Sequence, residues 1–319
     1  MRCLTVTCNT AVDTTYVLDR LTAGEINRVA RVLPAPGGKG NNVARVLRVL
    51  GHDVVATGFA GGHPGRYVAD ALAALGIEPA FLPVSGDARL CLTIVEESTG
   101  RITEIREPGA HVTPEDGRRL IDHVATLAAT VDAVAICGSL PPGLPDDFYA
   151  DLVAAVRRAG VFVALDSSGP ALRAALRGGP DLIKPNVGEL ADLLGLADVA
   201  DLTLDVARRG IATLALPDHA AVLLSLGADG ATLISKDGLV SAVPPPVAVA
   251  NTVGSGDALL AGYLDGRGRG ESSADALATA VAVGTAAALQ EAVGVVVHED
   301  VARLRPLVRR SEPTEVQAA

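Results

Sequence analysis

The chain has 319 residues, of which 49% are hydrophobic and 20% charged, and its net charge at pH 7 is −10. This length and hydrophobic content exclude a disordered chain and suit a large α/β core. The acidic balance argues against a general nucleic-acid binder or a membrane-surface protein, although local positive charge can still hold an anionic substrate. No apolar run reaches the ~20 residues of a membrane span. A strand-like pattern from Met1 leaves no room for a signal peptide, so we expect a cytoplasmic protein.

The cysteines and the lysines carry different information. The four cysteines form no CxxC motif and have no histidine at ligand spacing. We therefore predict small buried side chains in strands rather than a zinc site or disulfides. Of the 27 basic residues only three are lysine, namely Lys39, Lys184 and Lys236. A chain that otherwise uses arginine needs a reason for a compact ammonium group, and two of the three lie in motifs marked by glycine or proline.

Short apolar runs alternate with helical patterns along most of the chain. We predict strands at Leu4–Cys8, Val54–Gly58, Ala133–Cys137, Phe162–Asp166, Leu182–Lys184, Ala221–Ser225 and Ala231–Ser235. We predict helices at about 41–50, 66–75, 115–129, 146–159, 170–177, 187–194, 201–210, 257–265 and 273–292. This alternation indicates βαβ units and a parallel sheet. The domain is expected to span residues 1–310, with a polar, frayed tail at 311–319.

Two segments, 14–33 and 89–106, interrupt this alternation. Each reads as two extended strands joined by a turn, and together they predict a small antiparallel sheet outside the main one. A small sheet hinged to the larger domain would serve as a lid. The alternative is a pair of edge hairpins without that role.

A glycine-rich turn at 36–44 reads Pro-Gly-Gly-Lys-Gly-Asn-Asn-Val-Ala and runs into a helix. It is not a Walker A loop, because glycine rather than serine or threonine follows Lys39. The glycines permit close backbone approach, the helix start favours an anion and Lys39 adds a positive charge. Taken alone, such a turn is more often a loop than a site.

The segment 251–257 reads Asn-Thr-Val-Gly-Ser-Gly-Asp and leads directly into an alanine-rich helix. Its glycines and the unpartnered amides of the helix start predict an anion site. A carboxylate there repels an anion, so Asp257 makes chemical sense as a base or a metal partner. The alternative, equally weighted on this segment alone, is a helix cap.

Several further turns follow predicted strands, on the side where α/β enzymes bind their substrates. Ser139 lies in the first of them, at 137–143, and another follows at 166–169. Lys184, Asn186 and Glu189 fall within six residues, and the last two are spaced so that both can face a Mg²⁺ ion held through water. The turn at 225–230 contributes two more glycines. Individually these signals are weak, but their combination at one edge of the sheet predicts an active site.

These motifs resemble those of the PfkB (ribokinase-like) carbohydrate kinases over residues 1–295. The resemblance is carried by the segments 37–45 and 251–258, by Lys184-Pro185-Asn186 with Glu189, and by Ser225-Leu226-Gly227. The phosphofructokinase branch is most similar, comprising 1-phosphofructokinase, tagatose-6-phosphate kinase and the minor 6-phosphofructokinase. Its features here are Arg89 and the segments 107–109, 138–143 and 243–247.

The resemblance implies a ribokinase-like three-layer α/β/α sandwich, with a β lid formed by about 12–35 and 88–108 that mediates a homodimer. It implies ATP and Mg²⁺, with Asn186 and Glu189 linked to the metal. It implies Asp257 as catalytic base and the amides of Gly254, Ser255 and Gly256 as anion hole. The implied ATP-binding residues are Lys184, Asn186, Ser225, Gly227, Gly230, Thr252 and Gly256. The implied sugar and sugar-phosphate contacts are Asp13, Gly38, Lys39, Asn42, Arg89, Ser139 and Arg28.

The same resemblance favours transfer of the ATP γ-phosphoryl group to fructose 1-phosphate. Tagatose-6-phosphate kinase and 6-phosphofructokinase remain alternatives, and a kinase of a free sugar or a non-catalytic sugar-phosphate sensor is less favoured. Several positions depart from the family pattern. They are Thr10, Ser255 and the first two residues of the segment 87–89, where Asp-Ala-Arg replaces Lys/Glu-Thr-Arg and puts the identity of the phosphosugar in doubt. We further expect the helix start to lower the pKa of Asp257 and keep it ionised.

Overall fold

A computed structural model describes residues 1–236 and 238–311, so the predicted tail beyond Ser311 lies outside the described residues. The strands are β1 Arg2–Thr7, β2 Ala11–Leu18, β3 Arg31–Gly37, β4 Asp53–Ala60, β5 Glu78–Pro79, β6 Leu82–Pro83, β7 Arg89–Glu96, β8 Ile102–Arg106, β9 Ala133–Cys137, β10 Phe162–Asp166, β11 Leu182–Ile183, β12 Ala221–Ser225, β13 Ala231–Ser235, β14 Gly238–Val243 and β15 Arg309–Arg310. The helices are α1 Lys39–Val49, α2 Gly62–Ala74, α3 Pro114–Ala128, α4 Phe148–Arg157, α5 Gly169–Ala175, α6 Val187–Leu194, α7 Leu204–Ile211, α8 Ser255–Gly268, α9 Ser273–Ala288 and α10 His298–Leu304.

The main sheet has the order β15-β14-β13-β12-β11-β10-β9-β1-β4-β5, with β6 also paired to β4. Alternate residues of its strands enter two separate cores, because side chains along a strand point to opposite faces. Leu4 and Val6 of β1 pack with α3 to α7 on one face. Cys3 packs with α1, α8, α9 and α10 on the other. The result is a three-layer α/β/α sandwich.

The prediction of a parallel sheet is right for the neighbouring strands β4, β1, β9, β10, β11 and β12 and wrong at one edge of the sheet. Strands β12 to β15 pair in antiparallel fashion. Only five residues separate Ser225 from Ala231, which is too few for the crossover that a parallel pair needs. Strand β14 and helix α10 were not predicted from the sequence.

A second, four-stranded sheet has the order β3-β2-β7-β8, and we call it the small sheet. Its two hairpins are antiparallel, as predicted. Their junction is not, because β2 and β7 pair in parallel from Ala11↔Arg89 to Leu18↔Glu96. The reason lies in the main sheet, where β1 and β4 are parallel neighbours. Strand β2 follows β1 and β7 follows β4, so both enter the small sheet in the same direction.

An ion pair connects the small sheet to the body of the molecule. Arg31 of β3 contacts both carboxylate oxygens of Glu291, at 2.6 and 3.3 Å. The backbone oxygen of Glu291 in turn accepts a hydrogen bond from Asn251 Nδ2 at 2.8 Å. One edge of the small sheet is therefore connected to the segment that leads into α8.

Three of the four cysteines are buried, as predicted, and Cys91 is half-buried on the small sheet. Over residues 1–236 and 238–311, no helix combines the length and apolarity required to span a bilayer.

Candidate active site

A cavity of about 1070 Å³ lies between the small sheet and the carboxyl ends of the main-sheet strands. It is the place that the glycine-rich turns of the sequence predict, because the carboxyl ends of parallel strands meet at one edge. The predicted site residues that line it are Asp13, Gly38, Lys39, Asn42, Arg89, Lys184, Asn186, Glu189, Ser225, Gly227, Gly230, Thr252, Gly254, Ser255, Gly256 and Asp257.

The amino terminus of α8 forms one wall of the cavity. Gly254 precedes the helix with φ 85°, a left-handed conformation that glycine adopts without strain. A Cβ atom there would lie 3.0 Å from Val293 Cγ1 and 3.1 Å from the amide nitrogen of Gly294. Among the described residues no side chain caps this helix, although the Ser255 amide donates to the backbone oxygen of Thr252 at 3.2 Å. The other amides of the first turn can donate to an anion in the cavity. The anion hole at residues 254–256 stays a prediction, and this backbone conformation is compatible with it.

Asp257 lies in the first turn of α8 and is 6% exposed. Asn42 Nδ2 donates a hydrogen bond to Asp257 Oδ2 at 2.9 Å, which fixes the carboxylate against α1. Burial and the nearby charge of Asp166 raise the pKa of Asp257 to about 7, against the opposing effect of Lys39. The expectation of a lowered pKa was wrong, because loss of hydration outweighs the favourable helix terminus at this depth.

A buried carboxylate holds the two cavity lysines together. Asp166 is fully buried at the end of β10, and its oxygens lie 2.8 Å from Lys39 Nζ and 3.0 Å from Lys184 Nζ. Burial opposes ionisation of Asp166, but the two lysines hold its pKa below the ordinary value. Burial alone would lower the pKa of Lys39, whereas Asp166, Asp257 and Glu189 raise it. Asp166 thus fixes both ammonium groups in place.

Asn186 and Glu189 form a capping box at the start of α6. Asn186 Oδ1 accepts from the Glu189 amide at 2.9 Å, and Glu189 Oε2 accepts from the Asn186 amide at 2.9 Å. Glu189 Oε1 lies 3.9 Å from Lys39 Nζ. The two side chains are therefore structural at the helix end and still present oxygen atoms to the cavity. In the described part of the chain, no group of three or more His, Cys, Asp or Glu side chains is arranged to hold a metal ion.

Ser225, Gly227 and Gly230 lie at the turn between β12 and β13. A parallel bridge joins Ser225 to Asn186, so the two predicted nucleotide-binding turns are adjacent. Thr252 and the segment 243–247 also line the cavity.

Asp13 and Arg89 line the cavity from the small sheet. Burial raises the pKa of Asp13, although the Gly38 amide and Arg89 oppose this effect. The Gly38 amide donates to Asp13 Oδ2 at 3.4 Å. Arg89 Nε donates to the backbone oxygen of Asn9 at 3.3 Å. Asn9 Nδ2 donates to Ser139 Oγ at 3.3 Å, so Ser139 adjoins this end of the cavity without lining it.

Arg28 is not brought into the cavity. It is exposed in the long turn between β2 and β3. Strand β2 starts beside the site at Ala11 and ends at Leu18, so this turn lies at the far end of the hairpin.

Four residues of this region were not predicted from the sequence as site residues, namely Asn9, Asp166, Glu104 and Arg106. Asp166 carried a usable signal, because a carboxylate ends a buried parallel strand, yet no role was assigned to it. Asn9 acts through contacts with Pro108 and Ser139, about 100 residues or more away in the sequence. Glu104 and Arg106 lie in a segment for which only strand structure was predicted.

The chain matches a known protein family over most of its length. The model of the "pfkB family carbohydrate kinase" matches residues 6–299. The chain belongs to the pfkB family of carbohydrate kinases. It is therefore a phosphotransferase with an alcohol group as acceptor, and the predicted resemblance is confirmed.

A 1-phosphofructokinase from Rhodobacter capsulatus is 39% identical over 274 residues, which cover 83% of this chain and 83% of that protein. A tagatose-6-phosphate kinase from Staphylococcus epidermidis is 33% identical over 98% of this chain and 99% of its own length. The phosphofructokinase-2 structure from Escherichia coli in complex with potassium has a TM-score of 0.86 and 28% identity, covering 96% of this chain and 98% of that one. These similarities confirm the predicted ribokinase-like fold and the phosphofructokinase branch.

Proposed function

We propose that this kinase transfers the γ-phosphoryl group of ATP to a hydroxyl of a ketohexose phosphate, with fructose 1-phosphate as its acceptor and fructose 1,6-bisphosphate as its product. One observation carries the proposal: Asp257 is buried beside the α8 amides, in a cavity that also holds Arg89. In this proposal the base, the anion site and the arginine that binds the acceptor phosphate line one cavity.

Asp257 takes the role of base in this proposal. With a pKa of about 7, a substantial fraction of the carboxylate is ionised at neutral pH and can accept a proton. The hydrogen bond from Asn42 orients the carboxylate towards the acceptor hydroxyl. Phosphoryl transfer passes through a loose transition state, so positioning and charge stabilisation supply most of the rate.

The α8 amides and the two lysines bind the charge that develops on the transferred group. Their donors are fixed in advance, because Asp166 holds both ammonium groups and Gly254 sets the start of the helix. Fixed donors cost little reorganisation during reaction. The turn containing Ser225, Gly227 and Gly230 holds the nucleotide, together with Thr252.

Asn186 and Glu189 are the residues that would hold Mg²⁺ through water. Their donor set fits, because both supply oxygen atoms and Glu189 Oε1 takes no part in the capping box. The ion, when bound, neutralises charge on the nucleotide phosphates.

Arg89 favours a phosphorylated acceptor over a free sugar. Its guanidinium is placed on the small sheet, beside Asp13 and Ser139, where the end of an acceptor distant from Asp257 would lie. The 39% sequence identity to the 1-phosphofructokinase of R. capsulatus supports fructose 1-phosphate as the acceptor. Tagatose 6-phosphate is the second candidate, because the similarity to the S. epidermidis enzyme extends over nearly the whole chain.

We also propose that residues 1–310 form one kinase domain in which the small sheet, about 12–35 and 88–108, is a lid and the contact surface of a homodimer. Val32, Leu90 and Ile105 of this sheet are each more than 40% exposed, which supports a covered apolar surface in the assembly. Light scattering of the purified protein tests it, and a monomer at assay concentration would contradict it.

A coupled ADP-release assay tests the function. The acceptors are fructose 1-phosphate, fructose 6-phosphate, tagatose 6-phosphate and unphosphorylated fructose, each with ATP and Mg²⁺. We expect the highest kcat/KM with fructose 1-phosphate. A higher value with free fructose than with all three phosphates would contradict the proposal.

A further inference from the structure

The edge strand of the small sheet carries an arginine that no predicted role includes. Arg106 lines the cavity from β8, and Glu104 lines it two residues earlier. The side chain of Arg106 is 60% exposed, and its Nη2 atom donates to Glu104 Oε2 at 2.7 Å. This guanidinium therefore borders the cavity, and within residues 1–236 and 238–311 its ion-pair partner is Glu104 of the same strand.

The register of the small sheet fixes the neighbours of Arg106. Asp13, Cys91 and Arg106 are partners in one row across β2, β7 and β8. Arg89 lies two residues before Cys91 and so on the same face. Arg89 and Arg106 are thus diagonal neighbours on an antiparallel pair, at a separation of about 7–8 Å that long side chains bridge.

Two guanidinium groups on one face repel each other unless an anion lies between them. Arg89 is held by the backbone oxygens of Asn9 and Glu107, at 3.3 Å each, rather than by a carboxylate. Arg106 has Glu104 as its carboxylate partner. A phosphate group between the two arginines would satisfy both, because a guanidinium presents a planar fork of donors to phosphate oxygens.

We propose that Arg106 is a second phosphate-binding residue for the acceptor, opposite Arg89, and that Glu104 holds it in place until the phosphosugar binds. This inference rests on the proposed function and identifies a specificity-determining residue of the same site. Two arginines from adjacent strands would discriminate against an unphosphorylated sugar, because a free sugar leaves Arg89 with backbone oxygens and Arg106 with Glu104 as hydrogen-bond partners and supplies no phosphate to either.

Steady-state kinetics with fructose 1-phosphate and ATP tests the inference. Arg106→Gln removes the charge, and we expect its KM for fructose 1-phosphate to rise about 10–100-fold, as for loss of a charged hydrogen bond. The KM for ATP and the turnover at saturation should stay within about twofold of wild type. Arg106→Lys should give an intermediate KM, because an ammonium keeps the charge and loses the fork.

Glu104→Gln is expected to change the KM for fructose 1-phosphate in the opposite direction. It removes a negative charge beside the bound phosphate and releases Arg106, so we expect a KM for fructose 1-phosphate about 2–5-fold below wild type. The matched control is Arg118→Gln, an exposed arginine of α3 away from the cavity, which should leave all constants unchanged.

If the wild type is active and Arg106→Gln changes the KM for fructose 1-phosphate by less than twofold, this inference is wrong and the proposed function still stands. Equal losses in the KM for ATP and in turnover would also overturn it, because they indicate structural damage. Inactivity of the wild type towards every ketohexose phosphate would contradict the proposed function itself.

Discussion

Asp257→Asn is expected to make the enzyme slower and, above neutral pH, more stable. The folded protein holds the Asp257 proton more tightly than the unfolded chain does, because burial raises the pKa from 3.8 to about 7. The contribution of the Asp257 carboxyl to the free energy of unfolding is therefore fully present below about pH 4, and it is lost as the pH rises through 7. At about 1.4 kcal/mol per pH unit, the difference between these two pKa values corresponds to at most about 4 kcal/mol of destabilisation at pH 8.

The asparagine variant removes this buried charge and keeps an oxygen that can accept from Asn42. Part of the resulting gain in the free energy of unfolding is offset, because Lys39 and Lys184 lose a compensating negative charge nearby. We therefore expect a net gain of about 1–2 kcal/mol at pH 8, which is a rise of a few degrees in Tm for a chain of this size. The gain should shrink towards pH 5, where the wild-type carboxyl is protonated.

The assays are thermal unfolding at pH 5 and pH 8 and turnover with saturating ATP and acceptor. Turnover should fall ~10²–10⁴-fold, the ordinary contribution of a general base. The wild-type kcat/KM should decline as the pH falls below about 7. Asp70→Asn, an exposed carboxylate on α2, is the matched control and should change neither property. Near-normal turnover of Asp257→Asn, or a Tm at pH 8 equal to or below wild type, would refute this reasoning.

Two further substitutions test the scaffold around the base. Asp166→Asn leaves two lysine ammonium groups beside an uncharged amide, so we expect lower turnover and a fall in the free energy of unfolding of about 3 kcal/mol or more; urea unfolding measures it, and unchanged stability would contradict the coupling. Gly254→Ala places a Cβ against Val293 at φ 85° and should cost about 1–2 kcal/mol and most of the turnover. Gly270→Ala, at φ 73° in open space, shares the backbone cost without the contact, so equal turnover losses in both variants would count against a shaped anion hole.

The position of the site was predictable because it depends on local sequence. Glycine turns, a cation and carboxylates follow successive apolar strands, and the carboxyl ends of parallel strands meet at one edge. The helix boundaries of α6 were also predictable, because Asn186 and Glu189 form a capping box with a sequence signature. These features need no knowledge of distant contacts.

Other features depend on contacts between distant parts of the chain. The parallel junction of β2 and β7 joins residues about 80 positions apart, and no local pattern specifies it. The raised pKa of Asp257 depends on burial by α1 and on Asp166, which only the folded chain brings together. Arg106 acquires its neighbours in the same way, through the register of β8 with β7. A motif-based prediction therefore singles out Asp257 and misses its environment.

The most direct test of the central claim is the ³¹P NMR spectrum of wild-type enzyme incubated with ATP, Mg²⁺ and fructose 1-phosphate. The proposal predicts a new sugar phosphomonoester resonance that grows in equal amount with ADP, and its near absence with Asp257→Asn. ADP accompanied by inorganic phosphate, with fructose 1-phosphate unchanged, would contradict transfer to the sugar.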